Sequence, residues 1–153
     1  MSQTTHAMAF VDAELHISPV ATPTWTNCSG WASSVSISGG ERAVDDVHTM
    51  DGDVPIRKAG KRAGLTLTGR FAYTEEADHP FDVLHTQYQT PGSYLEVQFC
   101  PKDADGKWYQ TGAAILQNVS YPGGEVGPGG AIMCEFVVAV TELTQADSSE
   151  ADG

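Results

Sequence analysis

The sequence has few cations, few cysteines and no long apolar run. Its 153 residues contain 8 Lys and Arg against 20 Asp and Glu, which gives a formal net charge of -12. Proteins that wrap nucleic acid by neutralising phosphates need clustered basic residues, so this composition argues against that class. No apolar run approaches the roughly 18 residues that a membrane span needs, and the N-terminus lacks the cationic start of a signal peptide. We therefore expect a soluble protein made in the cytoplasm.

The sequence also lacks a recognisable catalytic or metal-binding constellation. Three cysteines, Cys28, Cys100 and Cys134, leave one unpaired under any pairing, which fits reduced thiols better than a disulfide framework. The five histidines form none of the spacings that hold zinc, and we interpret His79 and His85 as surface groups. Because no nucleophile is paired with a base, we expect neither an enzyme nor a bound cofactor or metal.

Alternation of apolar and polar residues is the dominant pattern in the chain. A period of two is typical of half-buried β-strands. The stretch Phe136–Val140 is apolar on both faces, so we expect it to be central in the domain or covered by a neighbouring subunit. The predicted strands are 11–17, 31–38, 65–73, 94–100, one beginning near Trp108, one in the stretch 112–124, and 132–143.

One segment breaks this period. Phe81, Leu84 and Tyr88 recur at helical spacing after Pro80, and Thr90-Pro91-Gly92 ends the run. The pattern predicts a single helix of about three turns. The fold class is therefore mainly β, in one domain over 1–153: a β-sandwich or open barrel of two packed antiparallel sheets, with one flanking short helix and a long inter-strand loop.

That loop, residues 39–64, divides its charge between two halves. A loop of this length without its own hydrophobic pattern is usually functional or disordered. The split suggests docking, because the acidic half of one copy can meet the basic half of another. The alternative is a solvated, mobile loop whose charges only maintain solubility. The charged residues are Glu41, Arg42, Asp45, Asp46, Asp51 and Asp53 in the first half, and Arg57, Lys58, Lys61 and Arg62 in the second.

The order of these segments carries a resemblance. It runs from a strand beginning at Trp31, through the bipolar loop, to LTLTGRFAY, the helix HPFDVLHTQY, LEVQF, an Asp-Gly hairpin, GAAILQNVSYPGG and EFVVAVTEL. Over about residues 8–143 this resembles the tail tube (major tail) proteins of long-tailed phages and phage-like particles, a family related to the type VI secretion tube ring protein.

The resemblance implies a structural virion protein of the tail, made in the host cytoplasm. Six copies would form a ring, and stacked rings would form a hollow tube through which DNA is delivered. The loop at 39–64 would reach the adjacent ring, so its charged residues would form the inter-ring interface, while an N-terminal arm (1–7) and a C-terminal tail (144–153) would be ordered by neighbours. Implied partners are further copies of the chain, a tape-measure protein and a tail terminator.

The lumen of such tubes is commonly negative, so that DNA does not stick. Glu96, Glu135 and Glu142, on the polar faces of predicted strands, are the candidates for facing it. The acidity could instead reflect adaptation to high salt. The sequence leaves a sheathed contractile tail or a secretion tube open beside a non-contractile tail, which we favour.

A function of another class also remains open. A ligand-binding β-sandwich, such as a carbohydrate-binding module, would use exposed aromatic rings to stack on sugars. The candidate rings are Trp25, Trp31, Trp108 and Tyr109.

Overall fold

The computed structural model describes residues 12–20, 24–76, 79–92, 94–102, 106–123, 126–127 and 129–147. The expected N-terminal arm, 1–7, and the Asp103-Ala104-Asp105 part of the predicted hairpin turn lie outside these residues. Within the described ranges the chain forms eleven strands and one helix. In chain order they are β1 Glu14–Pro19, β2 Thr26–Asn27, β3 Ala32–Gly39, β4 Arg42–Val47, β5 Ile56–Arg62, β6 Leu65–Ala72, α1 Pro80–Gln89, β7 Tyr94–Cys100, β8 Trp108–Gln110, β9 Ala114–Val119, β10 Met133–Val140 and β11 Thr144–Ala146.

Nine strands form one antiparallel sheet. The path runs β11-β8-β7-β9-β10-β6-β3, with β1 on the other edge of β7 and β2 beside β1. β7 pairs with β9 near its start and with β8 near its end, so the sheet divides at β7. Among the described residues, β3 pairs only with β6, and β11 only with β8, so the sheet does not close into a barrel. The predicted class, mainly β with one short helix, is confirmed.

The core follows from the alternation in the sequence. In β10, Phe136, Val138 and Val140 are buried, whereas Val137 and Ala139 on the other face are half-buried. β10 lies between β6 and β9, which confirms that this apolar segment is central. Burial of such side chains is the main stabilising contribution to the fold. The other core side chains are Leu15, Ile17, Cys28, Leu67, Phe71, Leu84, Leu95, Val97, Ala114, Leu116, Val119 and Cys134.

The helix α1 lies where the sequence predicts it. Pro80 occupies its first turn, where a missing N–H costs nothing, and Leu84 is buried against the core.

His79, the residue before the helix, departs from expectation. His79 is 5% exposed, packs edge-on against Tyr73 at 5.8 Å between ring centroids, and lies 3.3 Å from Asp82 through Nε2. Interpreting His79 as a surface group was therefore wrong, because aromatic neighbours cover its ring.

Three elements were missed by the sequence patterns. β2 contains two residues, and β11 contains three that pair with β8 through Gln145 and Tyr109. The predicted C-terminal tail, 144–153, therefore begins with a strand, Thr144–Ala146. The third element is the pair β4 and β5, which forms a separate two-stranded sheet inside the predicted loop.

Candidate functional site

The charged segment at 39–64 is a β-hairpin, which corrects the prediction of an irregular loop. β4 and β5 pair antiparallel, with Val47 opposite Ile56 and Val44 opposite Ala59. Residues 48–55, which connect the two strands, contain Asp51-Gly52, a dipeptide that marks turns. This turn signal was present in the sequence, but the charges on both sides hid the strands.

Within the part of the chain that the structure describes, no segment covers the hairpin. Every residue of β4 and β5 is exposed. A two-stranded hairpin alone is marginally stable in water, so this one has the character of an arm that needs a covering surface. It also carries five of the twelve large hydrophobic side chains that are exposed in the described ranges: Val44, Val47, Met50, Val54 and Ile56. A loop whose charges served only to keep the protein soluble would not need exposed apolar side chains.

Pairing of the strands redistributes the charge that the sequence divides into halves. Asp45 lies opposite Lys58, and Asp46 lies opposite Arg57, with 3.2 Å between Asp46 Oδ1 and Arg57 Nε. These four charges offset one another in the middle of the hairpin.

The remaining charges lie at the two ends of the hairpin. At the hairpin tip, residues 48–55, the only formally charged residues at neutral pH are Asp51 and Asp53. At the base lie Arg42, Lys61 and Arg62, against Glu41. The hairpin is therefore negative at its tip and positive at its base.

A groove opens where the hairpin meets the nine-stranded sheet. We call it the basal groove; its volume is about 800 Å³. Arg42, Lys61 and Arg62 line its hairpin side, where Arg42 Nη1 donates to the carbonyl oxygen of Gly60 at 2.9 Å. Arg62 Nη2 lies 3.8 Å from Glu142 Oε1, whereas Lys61 forms no ion pair with another described residue. The sheet side of the groove is mostly apolar: Leu65, Ile115, Ala139, Val140 and Leu143.

The structure does not bring the three lumen candidates together. Glu142 lines the basal groove beside Arg62. Glu135 is exposed on β10, directly opposite Arg70 of β6, and Glu96 is half-buried on β7. Their orientation toward a lumen stays a prediction.

Three of the four aromatic residues predicted for sugar stacking serve as packing groups, and the fourth, Trp25, is half-buried. Trp108 is fully buried, with its ring edge-on to His16 at 5.2 Å. Trp31 packs against the core and donates its Nε1 proton to Thr74 Oγ1 at 3.0 Å, and Tyr109 stacks on Phe99. A buried indole offers no face to a ligand, so Trp108 cannot be part of a binding platform.

The three thiols are buried. Burial raises the pKa of Cys28 to about 12 and also raises the pKa of Cys134. Thiols held in the neutral form are poor nucleophiles and metal ligands.

Among the described residues, no group of three or more His, Cys, Asp or Glu is placed to hold a metal ion. Nor is any helix there long and apolar enough to cross a membrane.

Comparison with known proteins gives no match to a family model or to a curated protein sequence. Solved structures, however, match over nearly the whole chain. A chain of the SPP1 tail tube superimposes with a TM-score of 0.69 at 14% identity, covering 95% of this chain and 82% of that chain. The chain has the tail tube fold.

Two further structures share the tail tube fold with it. A chain of the PVC sheath-tube complex, an extracellular contractile injection system, matches with a TM-score of 0.60 at 11% identity, covering 95% of this chain and 99% of that chain. A chain from the tail of an empty GTA particle, refined with C6 symmetry, matches with a TM-score of 0.60 at 15% identity, covering 97% and 100%. The predicted resemblance is thus confirmed as a likeness of fold.

Proposed function

We propose that this protein is a structural, non-enzymatic tube subunit that assembles into stacked hexameric rings, forming a hollow phage-type tail tube that delivers DNA. The observation that carries the proposal is the likeness of fold to six solved structures from tails and injection systems. Each of them matches at least 94% of this chain. The C6 symmetry of the GTA tail supports six copies in each ring. In this role the chain is a component of the tail, assembled from copies made in the host cytoplasm.

The hairpin is the element that we propose to join successive rings. Its full exposure and its apolar side chains support this role, since both favour a covering partner. The structure changes which charges are available for that contact. Asp45, Asp46, Arg57 and Lys58 face one another within one chain, so we assign contacts between rings chiefly to the tip and the base.

For the lumen we propose the outer face of β10, where Glu135 is exposed beside the half-buried Val137, together with the neighbouring strands. Glu135 is the candidate acid there, although Arg70 lies opposite and offsets part of its charge. Glu142, the third lumen candidate, lines the basal groove, so we propose that it also modulates contact between rings. We retain Glu96 as a second lumen candidate on β7.

A tube of a contractile injection system is a second candidate function. Chains of the PVC sheath-tube complex and of the AFP baseplate are covered over 99% and 97% of their lengths, more fully than the SPP1 chain at 82%. DNA protected from nuclease inside purified native particles would favour the phage-type tail. Particles with a sheath and no DNA would favour the injection tube.

The proposed partners follow from the same neighbours. Matching chains occur in the PVC sheath/tube terminator complex and in the AFP tube terminating cap, which supports a terminator as the partner that ends the tube. A tape-measure protein inside the tube is proposed from the resemblance to tail tube proteins.

Negative-stain electron microscopy of purified protein, across a concentration and salt series, tests the proposed function. Rings or hollow tubes are the expected result. A protein that stays monomeric at every concentration, both alone and with a tail initiation complex, would contradict it and would favour a ligand-binding sandwich.

A further inference from the structure

We infer that the basal groove of one copy receives the hairpin tip of a second copy. This inference rests on the proposed function and deepens it, because it names both halves of the contact between rings. The partner is a further copy of this chain. The segment that enters the groove is the tip, residues 48–55, led by Asp51 and Asp53.

Charge complementarity is the first argument. The groove presents Arg42, Lys61 and Arg62, and of these three Lys61 alone has neither an ion pair nor a hydrogen bond to another described residue. The 3.8 Å contact between Arg62 and Glu142 leaves most guanidinium donors open. Guanidinium groups are suited to two-pronged binding of a carboxylate. Asp51 and Asp53 supply two carboxylates with no ion pair to another described residue.

Apolar complementarity is the second argument. At the tip, the side chains of Met50 and Val54 stand out from the protein, next to the two aspartates. In the groove, Ile115 is exposed although it lies opposite Ala139 of β10. Contact between these two surfaces would remove apolar area from water on both sides. A surface that only attracted counter-ions would not need an apolar wall.

Geometry excludes the tip of the same chain as the occupant. The tip and base are at opposite ends of an antiparallel pair that runs from Arg42 opposite Arg62 to Val47 opposite Ile56. Five residue steps at about 3.4 Å each separate these ends by about 17 Å, before the turn is counted. The tip therefore points away from its own groove and can fill only the groove of another copy.

Reversing charge at each end tests this pairing. One variant carries Asp51→Lys and Asp53→Lys at the tip, and a second carries Lys61→Glu and Arg62→Glu in the groove. Each places like charges in contact, and we expect the critical concentration for tube assembly to rise by about tenfold or more. A third variant carries all four changes, which restores opposite charges with their signs exchanged. We expect it to assemble again.

A mixture of the two single-end variants provides a further test. The reversed tip of the first fits the reversed groove of the second, and the native tip of the second fits the native groove of the first. Neither variant should form tubes alone, whereas the mixture should form them. Matched controls are Glu75→Lys with Glu76→Lys, and Lys102→Glu with Lys107→Glu, which reverse the same numbers of exposed charges away from the hairpin. These controls should assemble like the unmodified protein.

The outcomes separate the inference from the proposed function. Assembly of the unmodified protein together with normal assembly of both single-end variants would overturn the inference and leave the tube function intact. Loss of assembly in the single-end variants, without recovery in the four-change variant or in the mixture, would also overturn it. Failure of the unmodified protein to assemble under any condition would overturn both.

Crosslinking reports the position of the contact directly. Met50→Cys in one preparation and Ile115→Cys in another are mixed, assembled and treated with a short thiol crosslinker; the native thiols are buried and should not react. We expect a dimer that contains one chain of each kind. Assembled tubes that crosslink Met50→Cys to Tyr121→Cys, but not to Ile115→Cys, would overturn the inference. Circular dichroism and thermal unfolding establish that each variant folds.

Discussion

The ring of Phe136 lies over Gly69, which faces it across β10 and β6. A Cβ added to Gly69 would lie 2.5 Å from Phe136 Cζ and closer still to Cε1. Real Cβ atoms do not approach an aromatic carbon so closely, so the pair fits only because this strand residue has no side chain. Gly69 thus allows a large ring to be fully buried in the middle of the sheet.

Replacement of Gly69 by alanine should destabilise the protein. The ring would have to leave its position or the strands would have to separate, and overpacking of this kind costs about 1–3 kcal/mol of the free energy of unfolding. Urea denaturation of the monomer measures this free energy of unfolding. Gly30→Ala is the matched control, because a Cβ there would meet no atom within 4 Å. Equal stability of the two variants would contradict the prediction.

Amide hydrogen exchange should distinguish the hairpin from the sheet. In the monomer we expect amides of β4 and β5 to exchange much faster than those of β6 and β10, because the hairpin buries no residue and opens locally at little cost. Assembly should slow exchange in the hairpin and leave the sheet unchanged. If the hairpin amides were equally protected in the monomer and in tubes, it would not be covered on assembly.

Salt should affect assembly more than it affects folding. The charges of the tip and the basal groove are exposed, and exposed charges are screened at a Debye length of about 8–10 Å at moderate ionic strength. The core consists of apolar side chains, so the monomer's free energy of unfolding should change little. Light scattering and thermal unfolding over one salt series give both quantities. Assembly indifferent to salt would point to apolar contacts, for instance through Val137 and Ala139.

Alkaline pH should destabilise the fold through Cys28. Its pKa is raised by burial from 9.0 to about 12, so between these values the unfolded chain loses a proton that the folded chain keeps. The stability is fully present below pH 9.0 and is lost as the pH rises toward about 12. The loss approaches about 1.4 kcal/mol per pH unit.

Urea denaturation at several pH values, on the unmodified protein and on Cys28→Ala, isolates this contribution. Lysines and tyrosines titrate in the same range, so the difference between the two slopes is the quantity to compare. The variant should lose stability less steeply above pH 9.0. Parallel slopes would show that the thiol does not contribute.

The sequence predicts those elements whose burial leaves a periodic trace. β7 was predicted at 94–100 and is Tyr94–Cys100, because Leu95 and Val97 are buried with the half-buried Glu96 between them; the alternation then breaks, since Gln98 is buried and Phe99 is half-buried. The helix was predicted after Pro80 and begins there, since the proline and the helical spacing of apolar residues agree. The final strand is shorter than predicted, ending at Val140, after which Glu142 and Leu143 border the basal groove.

The site was predicted only in part, for a physical reason. β4 and β5 bury nothing, so their sequence shows no alternation, and the pattern predicts a loop there. The sorting of charge was also hidden. Asp46 and Arg57 are eleven positions apart in sequence, but they are cross-strand partners in the hairpin. Which charges offset one another depends on the register of the two strands, and a sequence without alternation does not reveal that register.

The unequal ends of the hairpin have a consequence for any assembly that it builds. Tip-to-groove contacts between identical copies all point the same way, so the assembly has a direction and its two faces differ chemically. One terminal face would display unfilled acidic tips, and the other would display unfilled basic grooves. Proteins that start and stop such a polymer would therefore need surfaces of opposite charge, and neither could replace the other.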